Sequence, residues 1–173
     1  MPSATFCTEI DPSSLIGITV DAYAQHDGYW HFFVALRDIG GDPLVFTTVE
    51  MLAGPRFDVF PIAMAREATS EHVWRALPHA IVIQNATALR RNEWAVRGAV
   101  HATLGEDPWT HHAGRGPASL DAIVSARVLA GVLIEGLHGE KMVIASSDSA
   151  PFNVEIFLPG QAAEQALERF EVP

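Results

Sequence analysis

The sequence has almost none of the residues that staple, tag or anchor a protein. Cys7 is its single cysteine, so neither an internal disulfide nor a multi-thiolate metal site can form within one chain. Lys141 is its single lysine, every other basic residue being arginine. No Lys or Arg stands ahead of an apolar stretch in Met1–Ile18, so a secretory leader is not expected. The longest nearly uncharged apolar run, Ala122–Ile134, is interrupted by Arg127 and is too short for a membrane helix, which needs about 20 residues. A cytoplasmic chain, away from the membrane, is the expectation.

Linear catalytic signatures are missing as well. There is no G-x-x-x-x-G-K-S/T loop, no G-x-G-x-x-G, no H-E-x-x-H and no G-x-S-x-G. Gly114-Arg115-Gly116 runs into Pro117 and reads as a turn rather than a phosphate cradle. No cofactor and no metal ion are expected from these patterns. They leave open whether the chain is an enzyme, because β-barrel enzymes can build their sites from separated strands.

What is present is apolar side chain and negative charge. The 173 residues are 49% apolar, which suits a single domain over 1–173 with a core of its own. The net charge is −10, unevenly spread. Residues 1–60 carry 2 basic and 8 acidic side chains, 61–118 carry 6 and 5, and 119–173 carry 3 and 8. Acidic ends flank an arginine-richer middle. Such a surface repels phosphate backbones, so nucleic acid is an unexpected partner and a basic protein the natural complement.

The hydropathy pattern predicts strands in the first third, at Leu15–Ala24, Tyr29–Leu36, Leu44–Glu50 and Phe57–Ile62, the last broken by Pro61. Turns fall at His26-Asp27-Gly28 and Gly40-Gly41-Asp42-Pro43. The last third repeats this: Val34–Glu50 aligns on Val132–Asp148 without a gap, setting Gly41 on Gly139 and Leu44-Val45-Phe46 on Met142-Val143-Ile144. Phe57-Asp58-Val59 then falls on Phe152-Asn153-Val154, and Ser14-Leu15 on Ser119-Leu120. Ser119–Glu135 also fits a helix, and the expectation is a helical or mixed start near 119–126 with a strand from Leu129 onward. In the middle third, Thr69–Leu77 has helical spacing ending at Pro78, Ala80–Leu89 reads as a strand, Arg90-Arg91 as a turn, and Glu93–Leu104 alternates as a half-buried strand. Gly105–Pro117 is a loop and Gln161–Phe170 a short amphipathic helix.

The expected fold is mainly β, of the α+β kind. Two related antiparallel strand–hairpin–strand units, about 14–63 and 119–158 joined by 64–118, form a sandwich or partly closed barrel with one or two short helices.

Candidate site residues are few. His101, Asp107, His111 and His112 could supply imidazoles and a carboxylate for proton transfer, although loop spacing does not bring them together by itself. Trp109 and Arg115 are of types that concentrate binding energy, on a loop of the kind that carries it. Trp30 is a further aromatic anchor, and Asp42 and Glu50 are acidic positions paired by the repeat with Glu140 and Asp148. His26 and His31 bracket a turn, and His72 and His79 flank the expected middle helix without evident purpose.

Two functions follow. The first is a non-catalytic, immunity- or inhibitor-like binding protein whose acidic surface (Asp21, Asp27, Asp38, Asp42, Glu50 and Asp58) docks a basic partner. The second is a small β-barrel or sandwich enzyme or binder for an apolar small molecule. Its cavity would be lined by Trp30, Phe32, Trp74 and Trp94, with His101 and the 105–117 loop at its mouth. An exposed sheet edge would also allow a homodimer.

Overall fold

Period-two alternation sets the architecture, each strand sending one set of side chains inward and the other outward. The computed structural model describes residues 10–26, 32–49, 51–54, 57–67, 71–96, 123–147 and 153–170, apart from the side chains of 51–54, 57–59, 92–96 and 123–127. After a 3-10 turn at Pro12–Leu15, the strands are β1 (Thr19–Gln25), β2 (Phe33–Asp38), β3 (Leu44–Thr48), β4 (Met51–Gly54), β5 (Phe57–Val59), β6 (Ile62–Arg66), β7 (Arg75–Val96), β8 (Ile123–Gly136), β9 (Lys141–Ser146) and β10 (Val154–Phe157). Helix α1 (Gln161–Leu167) follows. Eight strands form one antiparallel sheet in the order β10-β9-β8-β7-β1-β2-β3-β6, and β4 and β5 make a separate hairpin. The sheet is bent so that β10 lies against β2 and β3. Its end strands do not pair with each other. The mainly β expectation therefore holds, and the sheet is not closed into a barrel.

Read outward from the central β1–β7 pair, the two directions of the sheet are alike: β1-β2-β3-β6 one way, β7-β8-β9-β10 the other. Leu36 faces Leu44 and Val34 faces Phe46 in the first meander; Ile134 faces Met142 and Val132 faces Ile144 in the second. These are the pairs that the gapless alignment of Val34–Glu50 on Val132–Asp148 makes equivalent. The match extends to an irregularity, since β1 shifts register between Val20 and Ala22, and β7 between Ile83 and Asn85, at corresponding rungs. A bulge inserts one residue and exchanges the faces beyond it, which is why Val20 and then Tyr23 both meet the core. Thr19 pairs with Val82 where the meanders join. There the Ile39 N–H donates to Thr19 O (3.0 Å) and the Leu137 N–H to Val82 O (2.9 Å).

The ladders also correct the outer parts of the alignment. The strand in the place of β10 is β6, not Phe57–Val59: Ile62 pairs with Thr48 as Val154 pairs with Ser146. The place of β1 is taken by β7, and Ser119-Leu120, the expected counterpart of Ser14-Leu15, lies outside the described residues.

Inward-facing Val34, Leu36, Leu44, Phe46 and Ile62 pack with Val132, Ile134, Met142, Ile144 and Val154 in one core. Burying a side chain of this size contributes roughly 1.5–3 kcal/mol. Outward residues need separate cover. On the second meander Leu89, Leu133, Val143 and Ala145 are covered by α1 through Ala163 and Ala166. On the first, the smaller Ala24, Ala35 and Val45 are covered by Phe33 and Trp74.

Three expectations for single segments are overturned. The described part of Thr69–Leu77 is not helical, because Glu71–Trp74 is irregular and β7 begins at Arg75. Pro78 instead lies where the β1–β7 ladder skips from the Ala22–Ala76 pair to the Val20–Ile81 pair, a gap that suits a residue without an N–H. Residues 123–126 are strand rather than helix. Arg90-Arg91 lies inside β7, not in a turn.

Candidate functional site

Most candidates from the sequence lie outside the described residues: His31, His101, Asp107, Trp109, His111, His112, Arg115, Trp30 and Glu50. Asp42 is described and sits exposed at the tip of the β2–β3 hairpin, where its backbone carbonyl accepts from Arg66 Nη1 at 2.9 Å. Of the other acidic residues in the first third, Asp21 accepts from Arg37 Nε and Nη2 at 2.7 and 2.9 Å. Asp38 accepts from Arg66 at 2.8 Å. The Arg37 hydrogen bond holds the Asp21 carboxyl below the usual range, against some loss of hydration. Two of the expected steering charges are thus locally compensated. The proposed cavity lining changes as well: Phe32 is 46% exposed, and Trp74 packs on the outer face of the sheet rather than between its layers.

Three side-chain clusters emerge instead. The first joins histidines and aromatic rings on the outer face of the first meander. The His26 ring lies 5.6 Å from Phe32 and 5.9 Å from Phe33; His72 lies 5.3 Å from Phe33 and 5.1 Å from Trp74. The Arg37 guanidinium stands 5.8 Å from the Trp74 ring. β1 and β2 bring His26 and Phe33 together because their ladder ends there, the His26 N–H donating to Phe33 O. His72 and Trp74 fall on one side because an extended segment repeats every second residue. Partial burial pushes the His72 pKa down, with Glu67 opposing.

The second cluster is interior. Arg91, Ser146, Ser147 and Asn153 are buried polar residues grouped at the end of β9. Arg91 donates to the carbonyls of Ser146 (2.8 Å) and Ser147 (3.1 Å), and the Ser147 N–H donates to Asn153 O. This guanidinium therefore secures β7 to the end of β9.

The third cluster ties the β8–β9 hairpin to β7. His79 Nε2 is 2.8 Å from Glu140 Oε1, while Glu140 Oε2 accepts from the His138 N–H at 3.0 Å. Its own backbone N–H and then the His79 ring hold the Glu140 carboxyl below the usual range, with burial opposing. Gly136 leaves the room this carboxylate occupies, since a Cβ there would run into Glu140 Oε2.

His72 and His79 carried no purpose in the sequence, and the contacts give each a structural one. The H-x-W spacing of His72 and Trp74 was the available signal, hidden by the helical reading of that segment. Among the described residues, no group of three or more His, Cys, Asp or Glu is placed to hold a metal ion, and no helix is long and apolar enough to cross a membrane. Compared with family models, curated proteins and solved structures, the chain matches none of them.

Proposed function

We propose that the chain is a non-catalytic binding protein whose acidic surface docks a basic protein partner. The observation that carries this reading is the net charge of −10 on a fold whose described core is filled by aliphatic side chains and Phe46. Long-range attraction raises encounter rates without needing any one ion pair, so the pairing of Asp21 and Asp38 with arginines leaves the steering intact. Exposed Asp42, Glu71 and Glu168 are available at the described surface, while Glu164 lies 3.3 Å from Lys141 Nζ. Trp109 is the side chain assigned to anchor the contact.

The test is association kinetics with a set of purified basic proteins at low and at physiological salt, with polylysine as the non-specific control. The reading requires one protein that binds more tightly than polylysine, with an on-rate that drops steeply as salt rises. Uniform weak binding to every basic probe, or a salt-independent on-rate for the tight one, removes it.

A further inference from the structure

The outer faces of the two meanders are covered differently. The second is covered by α1, which has its own internal hydrogen bonds and buries Ala163 and Ala166. The first is covered by Phe33 of β2 and by Trp74, at the end of the irregular segment Glu71–Trp74, both packed on Ala24, Ala35 and Val45. Rings rather than helical backbone hold this second kind of cover: His72 touches Phe33 of β2 on one side and Trp74 on the other. Segments with irregular backbone and few buried apolar contacts open first.

We propose that Glu71–Trp74 is a pH-sensitive strap, in which protonation of the His72 imidazole frees Trp74 from the first meander and uncovers Ala24, Ala35 and Val45.

A neutral imidazole packs against rings as a flat, weakly polar plate, whereas an imidazolium half-buried among them loses hydration. The charged groups around it act in both directions. Glu67, beyond the end of β6, favours the cation. From β2, Arg37 already stands over the Trp74 ring, so a second cation on that ring meets its charge; Asp21 of β1 holds Arg37 there and offsets part of it. His26 lies across Phe33, and Arg75 follows Trp74 directly at the start of β7. Burial outweighs Glu67, and the His72 pKa lies below its ordinary value. With the closed pKa depressed, the closed strap is fully favoured above the ordinary histidine range. It loses ground as pH falls through that range and levels off below the depressed value.

The test uses the full chain labelled with 5-fluorotryptophan, the Trp74 fluorine signal being assigned by its loss in Trp74→Phe. Between about pH 7.5 and about pH 5 the signal is expected to move toward the position of solvent-exposed tryptophan. The shift should vanish in His72→Phe, which keeps a ring but cannot titrate, and persist in His26→Phe. A Trp74 signal that stays fixed across this range, or that moves equally in His72→Phe, overturns the proposal. Should His72→Phe fail to fold, carbon-detected titration of the His72 ring in the unmodified chain decides. A midpoint below that of a free histidine, coincident with the Trp74 shift, supports the strap; a midpoint at or above it refutes the strap.

Discussion

Arg91 donates to the backbone oxygens of Ser146 and Ser147 from a position only 4% exposed, while its neighbour Arg90 is half-buried. Two adjacent arginines therefore have different work. Replacing Arg91 by methionine keeps much of the volume but removes both donors, leaving two carbonyls short of partners. A loss of about 2–4 kcal/mol is expected in urea denaturation. Arg90→Met should stay within about 0.5 kcal/mol. Equal effects at the two sites would mean that the guanidinium does not tie β7 to β9.

The core should answer alike in both meanders. Phe46→Ala is expected to cost about 3–5 kcal/mol and Ile144→Ala about 2–5 kcal/mol, each through lost burial and the cavity left behind. By contrast, Ile39→Ala and Leu137→Ala remove side chains that are 60% and 54% exposed, and should change stability by no more than about 0.5 kcal/mol. Chemical denaturation of the four variants checks this. A large loss at Ile39 would place that side chain in a contact the described fold does not give it.

Gly139 sits in the β8–β9 hairpin at φ 84°, where its N–H donates to Gly136 O. An L side chain in that conformation costs roughly 1–2 kcal/mol, less for asparagine. Gly139→Ala should lower the thermal midpoint, and Gly139→Asn should recover part of the loss. Gly136→Ala acts differently, by driving a Cβ into the Glu140 carboxylate and Ile81, so asparagine at 136 should give no such recovery.

Acid stability follows from carboxylates whose pKa values the fold depresses, Asp21 through Arg37 and Glu140 through its backbone N–H and His79. With folded values below unfolded ones, their contribution is complete above the ordinary carboxylate range. It disappears as pH falls through the folded values. Urea midpoints measured against pH should show this decline, with a shallower limb in Arg37→Gln. An unchanged limb would mean that Asp21 gains nothing from Arg37 in solution.

Both hairpins were legible in the sequence because each is a pair of apolar runs about a tip that carries glycine. The position of the tip sets Leu36 on Leu44 and Ile134 on Met142. Most of β7 was legible, as the strands Ala80–Leu89 and Glu93 onward, but its start at Arg75 and its continuity through Arg90-Arg91 were not, for two physical reasons. Trp74, Leu77 and Ile81 fall at helix-like spacing because the ladder skips residues between Ala76 and Ile81, which resets the strand period. Arg91 defeats a hydrophobic pattern because its guanidinium is solvated by carbonyls instead of water, and no composition rule reports that. The outer alignment failed for a related reason. β1 and β7 correspond through a shared bulge rather than through shared residues. Of the site, Asp42 was read, the spacing of His72 and Trp74 was masked by the helical reading of that segment, and the His79–Glu140 pair joins positions far apart in sequence and depends on the fold.

The ribbon from Arg75 to Val96 gives one length of its edge to β1 and a longer one to β8. Neither layer owns it. Peeling either one away strips bonds from the plank on which its neighbour is nailed, so the two should melt in a single step rather than in sequence. Mechanical load applied along this ribbon would be shared across the whole molecule, which makes it the keel of the protein.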